Sequence, residues 1–356
     1  MKSLGNFPDP FIAEIAGQPD ALRRAAGGLD EQASTLERLT ALEPDPTLLF
    51  TGMGSSYDAC YPAITELAVA GMPAVHVDSA ELLHFRRNLV PRATLLVMVS
   101  QSGESAEVVR VAEETRELDD PPLVLGVTNG AQNSLARASD LLLDTRAGEE
   151  NGPSTMTFAA ALVVVAAIGR VLSGGAVPDS VRELREQAEI AASAIERLLD
   201  RPTLPDELAA LLGDRPHSVI LGRGPARAAA EMGALTLKEA VGLPIESLET
   251  AQFRHGPLEL AGPDLAAIVI ATEPQTRDLD IGLAGELVDA GAAVLLVVEE
   301  GGGPTGAACI ELGTLDRALA PAVSIVPAQL LAWKLAVRRG RPPGAYLRAT
   351  KVTMRE

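Results

Sequence analysis

The stretch that decides the fold is TLLVMVSQSGESAEVVR, residues 94–110. It has the pattern of a buried strand, then a hydroxyl-rich turn, then the start of a helix. The turn offers three hydroxyls and one amide, from Ser100, Gln101, Ser102 and Ser105, beside the free backbone N–H groups of a helix N-terminus. Donors that converge next to the positive end of a helix dipole suit a phosphate dianion. The alternative is an N-cap turn in which Ser102 or Ser105 caps the helix.

The pattern of strands and helices occurs twice, at an offset of about 171 residues. Four pairs of segments align at this offset: TLLFTGMGSS (47–56) with SVILGRGPAR (218–227), TLLVMVS (94–100) with LAAIVIAT (265–272), PLVLGVTNG (122–130) with AVLLVVEEG (293–301), and the apolar helix 157–172 with a helix at 327–339. Alternating strands and helices predict a parallel sheet. We therefore expect an α/β fold of two tandem domains, each a doubly wound parallel sheet of about five strands flanked by helices.

The two halves carry different polar residues. The counterpart of the turn at 100–105 is Thr272-Glu273-Pro274-Gln275, which has fewer hydroxyls and an added acid. Phosphate binding is therefore predicted for the first half alone. The second half instead carries TLKEA (236–240) and FRHGPLE (253–259), a division of labour expected of two copies that share one active site.

The order of the segments predicts five parts of the chain. They are an N-terminal helical arm (1–43, its helix from residue 8), a first domain (44–175), a charged helical linker (176–205), a second domain (206–340) and a C-terminal tail (341–356).

Composition narrows the class of protein. The chain has 356 residues, 47% of them hydrophobic, and a formal net charge of −18, which argues against nucleic acid as a partner. It has no signal-like N-terminus and no uncharged apolar run of 18 residues, so we expect neither secretion nor a membrane span. Two cysteines, Cys60 and Cys309, fit a reduced, cytoplasmic setting. The histidines are dispersed, and neither a metal nor a cofactor is expected.

Eight motifs resemble one known family. They are EIAGQP (14–19), GMGSSY (52–57), SAELLHFR (79–86), SQSGESAE (100–107), LGRG (221–224), LKEA (237–240), RHGPLE (254–259) and TKVT (350–353). In this order, over nearly the whole chain, they resemble the sugar isomerase (SIS) family, most closely the isomerase half of glucosamine-6-phosphate synthases. The resemblance implies two tandem α/β domains and a hexose 6-phosphate as the small-molecule partner.

The resemblance implies roles for ten residues. Ser100, Gln101, Ser102 and Ser105 would hold the phosphate, and Ser55, Ser56 and Thr155 would bind the sugar. Glu239 would move a proton between C1 and C2, His255 would open the sugar ring, and Lys351 would condense with the open-chain carbonyl. The non-catalytic alternatives are a solvated helix glutamate for Glu239, an interface or capping histidine for His255 and a solvated terminal lysine for Lys351. In the family the histidine reaches the neighbouring subunit's site, so the resemblance also implies a homodimer.

Three positions depart from the family pattern. Thr236 and Thr157 stand where the synthase has lysines, and Met232 stands where it has a glutamate. The chain starts at the isomerase half, so we expect no glutamine hydrolysis from it. The function expected is an isomerising glucosamine-6-phosphate deaminase or an ammonia-dependent aminase. The alternatives are a deglycase of sugar-phosphate–amino acid adducts and a non-catalytic sugar-phosphate sensor.

Overall fold

The computed structural model describes residues 10–43, 45–213 and 215–355. In this part of the chain ten strands form two five-stranded sheets, and all strand pairs are parallel. The prediction of two parallel α/β sheets is confirmed.

The first sheet has the strand order β2-β1-β3-β4-β5. Its strands are β1 (Leu48–Gly52), β2 (Ala74–His76), β3 (Leu95–Val99), β4 (Leu123–Thr128) and β5 (Leu141–Asp144). Every residue of β1 and β3 is buried, as expected of central strands that are covered by helices on both faces.

The second sheet has the strand order β10-β9-β8-β6-β7. Its strands are β6 (His217–Gly222), β7 (Glu246–Glu249), β8 (Leu265–Ala271), β9 (Ala293–Val298) and β10 (Ala308–Glu311). Each strand of the first sheet has its counterpart at the same place in the second, so the topology bears out the internal repeat seen in the sequence.

The helices connect and cover these strands. They are α1 (Pro10–Ala16), α2 (Gln18–Gly28), α3 (Ala33–Leu39), α4 (Ser55–Asp58), α5 (Tyr61–Val69), α6 (Ser79–His84), α7 (Ala106–Arg116), α8 (Ser134–Ala138), α9 (Met156–Leu172), α10 (Val177–Leu199), α11 (Leu204–Leu212), α12 (Ala226–Val241), α13 (Thr250–Phe253), α14 (Arg277–Asp289), α15 (Ala320–Ser324) and α16 (Val326–Arg338), with 3-10 turns at Arg87–Arg92 and Pro257–Leu260. The predicted helical arm is three helices, α1 to α3, and its residues 1–9 lie outside the described part.

The chain divides into two compact units that do not follow the sequence halves strictly. The first unit comprises Asp20–Glu150, Met156–Glu189 and the tail from Arg348 onward, and it contains the first sheet. The second unit comprises the described residues up to Pro19, Asn151–Thr155 and Ile190–Leu347, and it contains the second sheet. The end of the tail, from residue 348 onward, is therefore part of the first unit, although it follows the second sheet in sequence.

Each unit has one strongly apolar core helix. In the first unit α9 packs against α5 and α3, and all but one of its residues are buried. In the second unit α16 packs against α12 and α11 and carries the chain's one tryptophan, Trp333, at 9% exposure. Among the described residues one stretch, Ala320–Arg338, is long and apolar enough to cross a membrane, but 83% of it is buried inside the protein, as in a core helix.

Candidate functional site

The turn between β3 and α7 has its hydroxyls close together. The Oγ atoms of Ser100 and Ser105 lie 3.2 Å apart, and the Ser100 Oγ also accepts a hydrogen bond from the N–H of Gly103 at 3.1 Å. The Ser102 Oγ accepts one from the N–H of Glu104 at 3.1 Å. Ser105 occupies the N-cap position of α7, but its side chain makes no capping bond, so its hydroxyl faces Ser100 instead of the helix amides.

The turn is held rigid from the side of α8. Gly103 has φ +63°, and a Cβ there would overlap Oδ1 of Asn133. The carboxylate of Glu104 accepts hydrogen bonds from the N–H and the hydroxyl of Ser134, both at 2.8 Å. A glycine is required because the backbone is left-handed and in contact with Asn133, and the turn is therefore pre-organised.

The turn between β1 and α4 lies beside the turn between β3 and α7. The Oγ of Ser56, a residue only 8% exposed, accepts a hydrogen bond from the N–H of Gln101 at 3.3 Å. Ser55, Ser56, Gln101 and Thr157 help to line a small cleft. Six of the seven residues predicted to bind phosphate or sugar are thus in the first unit, at the carboxyl ends of its strands, where α/β sheets place their ligands.

The end of the C-terminal tail, from residue 348 onward, contacts the same unit. The carbonyl oxygen of Thr353 accepts a hydrogen bond at 3.0 Å from the N–H of Ala106, the first residue of α7. The Nζ of Lys351 donates to Oε2 of Glu150 at 2.6 Å. The first contact anchors the tail at the helix N-terminus that follows the serine turn, and the second orients Lys351.

The seventh residue predicted to bind phosphate or sugar, Thr155, is assigned to the second unit and is fully buried. Its segment is fixed by Glu14 of the EIAGQP motif, whose carboxylate accepts hydrogen bonds from the N–H groups of Asn151 at 2.6 Å and Gly152 at 3.0 Å. The hydroxyl of Tyr346 donates to the carbonyl oxygen of Gly152 at 3.1 Å.

Glu239 and His255 belong to the second unit. Glu239 lies half-buried near the end of α12. His255 is exposed in the turn between α13 and the following 3-10 turn, beside Gly256 at φ +127°. Next to it, Arg254 forms a two-pronged ion pair with Glu286 at 2.7 and 2.8 Å, which raises the pKa of Arg254 and lowers that of Glu286.

The two threonines that replace family lysines have hydrogen bonds of their own. Thr236 is fully buried, and its hydroxyl donates to the carbonyl oxygen of Met232 at 2.9 Å. Thr157 donates to the carboxylate of Glu150 through both its N–H, at 3.1 Å, and its hydroxyl, at 2.5 Å. Neither position supplies a positive charge.

The sequence did not predict what fills the counterpart turn of the second unit. Glu273 pairs with Arg317 at 2.5 Å, and Asp280 pairs with Arg223 at 2.6 Å. Burial raises the pKa of Glu273 and of Asp280, and the paired arginines oppose that rise. The added acid in this turn was the available signal, but the pairing of each acid with an arginine was not visible in it.

Comparisons with known proteins agree with this architecture. The chain is 30% identical over 350 residues to a glutamine–fructose-6-phosphate aminotransferase [isomerizing] of Pyrobaculum aerophilum. This match covers 96% of this chain and 57% of the relative. The relative of the same description in Arabidopsis thaliana is 30% identical, with 95% and 52% covered. The chain thus spans a little over half the length of these relatives.

Solved structures share the fold. The C-terminal domain of glucosamine-fructose-6-phosphate aminotransferase from Francisella tularensis matches with a TM-score of 0.81 at 24% identity, over 96% of this chain and 98% of that one. A glucosamine-6-phosphate deaminase from Thermotoga maritima matches with a TM-score of 0.73 at 20% identity, over 97% and 99%. The family model described as "SIS domain" matches residues 41–169 and 211–339, which include both sheets and most of the chain. With two such domains, the chain belongs to the SIS domain family.

Proposed function

We propose that this protein is a phosphosugar isomerase that acts on hexose and hexosamine 6-phosphates. Its reaction would interconvert fructose 6-phosphate and glucosamine 6-phosphate, with uptake or release of ammonia. The observation that carries the proposal is the first unit's serine turn at the N-terminus of α7, together with the amine of Lys351 held on the same unit by the docked tail.

The serine turn suits the phosphate group. Ser100, Ser102 and Ser105 offer hydroxyl donors, Gln101 an amide, and α7 has 11 residues over which to sum a dipole. The second unit's counterpart has Glu273 and Pro274 in place of donors, so its own carboxylate would repel the same anion. One phosphate site per chain follows from this difference.

The remaining candidate residues suit the sugar chemistry. We assign Glu239 the proton transfer between C1 and C2, because a half-buried carboxylate can both take and return a proton. His255 would move the proton of the ring oxygen when the sugar ring opens. Lys351 would form an imine with the open-chain carbonyl. By the family resemblance, His255 would serve the site of a neighbouring subunit in a homodimer.

The first experiment measures ammonia release from glucosamine 6-phosphate and galactosamine 6-phosphate. We expect release from one epimer and a loss of about 100-fold or more in Glu239→Gln, because the amide cannot accept a proton. Glu246→Gln, an exposed glutamate of β7, is the matched control and should keep full activity.

Absence of release from both epimers, with fructose 6-phosphate still raising the melting temperature, would contradict the deaminase proposal. Release of a free amino acid from a sugar-phosphate adduct would then identify a deglycase. Sugar-phosphate binding that Glu239→Gln leaves unchanged, without any turnover, would identify a sensor.

A further inference from the structure

Glu150 is a fully buried carboxylate in direct contact with the tail amine. Its side chain has 0% exposure, and its Oε2 lies 2.6 Å from the Nζ of Lys351. The N–H of Thr157 donates to Oε1, and the hydroxyl of Thr157 donates to Oε2. Thr157 holds the carboxylate by two donors without adding a charge, and Lys351 places a positive charge against it.

This ion pair raises a difficulty for the imine step. A lysine amine is protonated at neutral pH, and only its neutral form attacks a carbonyl. If Lys351 left Glu150 as a neutral amine and gave its proton to water, a buried carboxylate would lose its cation, which is strongly unfavourable. A proton transfer within the pair avoids this, because it leaves two neutral groups.

We propose that Glu150 is the positioning residue and proton acceptor of Lys351, an inference that rests on the imine step of the proposed function. The proton moves from Nζ of Lys351 to Oε2 of Glu150. The freed lone pair of Nζ forms a bond to the carbonyl carbon, and a proton passes from Nζ to the former carbonyl oxygen. That oxygen then leaves as water with the proton that Glu150 returns, and an iminium on Lys351 remains.

Charge is conserved around Glu150 through the sequence of steps. The pair starts as ammonium and carboxylate, passes through amine and carboxylic acid, and ends as iminium and carboxylate. The buried carboxylate thus has a cation beside it in the first and last states and is neutral in between.

The test traps the imine with borohydride in the presence of fructose 6-phosphate, and mass spectrometry assigns the label to Lys351. We expect Glu150→Gln to slow trapping by about 100-fold at neutral pH, because the amide takes no proton. The deficit should shrink as the pH is raised, since solvent base then removes the Nζ proton. Glu149→Gln, the exposed neighbour, is the control and should trap at the unchanged rate.

The outcomes separate this inference from the proposed function. Trapping by folded Glu150→Gln at the unchanged rate, or a deficit independent of pH, overturns the role of Glu150 and leaves the proposed function standing. Absence of trapping in the unchanged chain overturns the imine step itself. If Glu150→Gln gives no cooperative melting transition, Glu150→Asp replaces it. That variant keeps a proton acceptor and should trap within about threefold of the unchanged rate, and about 100-fold slower trapping would refute the proposal.

Discussion

Gly103 fixes the shape of the serine turn at the level of a single residue. Its φ of +63° is strained for any residue with a Cβ, and that Cβ would overlap Oδ1 of Asn133. Asn133 has little freedom to move, since its Oδ1 accepts from the N–H of Ala136 and its Nδ2 donates to the carbonyl oxygen of Gly130. The positions of the serine hydroxyls therefore depend on Gly103, which has no hydroxyl of its own.

We expect Gly103→Ala to lower the free energy of unfolding by about 3 kcal/mol, from strain and overpacking together. Gly130→Ala is the matched control, because Gly130 also has a positive φ, +97°, but no heavy atom of the described residues, its chain neighbours aside, lies within 4 Å of the position that a Cβ would take. It should lose about 1 kcal/mol, from strain alone. Urea unfolding measures both, and equal losses would show that the Asn133 contact is unimportant.

Polar partners were the hardest residues to predict. Thr155 and Thr157 were singled out in the sequence, yet nothing indicated that Glu150 contacts Lys351, because the two are 201 positions apart. The pattern of apolar residues reports which side chains are buried. It does not report which buried polar groups contact each other, and the contact of Glu150 with Lys351 is seen only once the tail is placed in the structure.

The turn after β8 carries a buried carboxyl, that of Glu273. Its Glu273 is 4% exposed, pairs with Arg317 through Oε2, and has no hydrogen-bond partner on Oε1 among the described residues. Burial raises the pKa of this carboxyl above its ordinary value of 4.5, Arg317 opposes that rise, and Glu299 and Asp280 add to it. The charged form is therefore less favourable here than in the unfolded chain.

The sign of the pH effect follows from the raised pKa. A group whose pKa is higher in the folded state contributes stability that is fully present when the pH is below the pKa of the unfolded state. This contribution is lost as the pH rises through the pKa of the folded state. We expect the unchanged chain to gain more unfolding free energy than Glu273→Gln when the pH falls from about 7 to about 5. Urea unfolding at both pH values measures the difference.

Glu286 provides a control of opposite sign. The ion pair with Arg254 lowers its pKa, so its contribution is present above its unfolded pKa and is lost as the pH falls through the folded value. When the pH falls below the ordinary pKa of a glutamate, the unchanged chain should therefore lose more unfolding free energy than Glu286→Gln loses. An identical pH response in the chain with and without Glu273 would contradict the assignment of a raised pKa.

The apolar strands and core helices followed from the sequence more readily than the breaks within the N-terminal arm. The continuous apolar runs of β1 and β3 identified buried parallel strands, and α9 and α16 begin within one residue of their predicted starts. The N-terminal arm was predicted to be helical over residues 8–43, and its described part contains three helices. The Gly17 and Pro19 positions explain the first break, because glycine ends helices readily and proline is tolerated only in a first turn.

At the scale of the whole molecule, the internal repeat makes a prediction about stoichiometry. Ser105 and Thr276 occupy equivalent places before α7 and α14, but the Ser105 hydroxyl faces Ser100 while the Thr276 hydroxyl faces Asp280 at 3.1 Å. We expect isothermal titration with fructose 6-phosphate to give one site per chain. Ser105→Ala should weaken binding about tenfold, for one lost hydrogen bond to a charged group.

Thr276→Ala is the matched variant in the second unit and should leave the affinity unchanged, because Asp280 disfavours an anion there. Two sites per chain, or equal losses in both variants, would show that the repeats share the binding role. The family membership was predictable because eight motifs occur in the family's order, and the two sheets were predictable because the repeat preserves the apolar pattern. The assignment of residues 348 onward to the first unit was not predictable, since it depends on contacts between distant parts of the chain.

The single tryptophan has a practical consequence for spectroscopy. Trp333 is buried in α16 of the second unit, whereas the first unit carries Tyr57 and Tyr61 packed around the ring of His76. Emission excited at the red edge of tryptophan absorption therefore reports on the second unit alone. Unfolding traces from that emission and from far-ultraviolet circular dichroism coincide if the two units melt together, and separate if they melt independently. The sequence thus carries a built-in, site-selective fluorophore that needs no labelling.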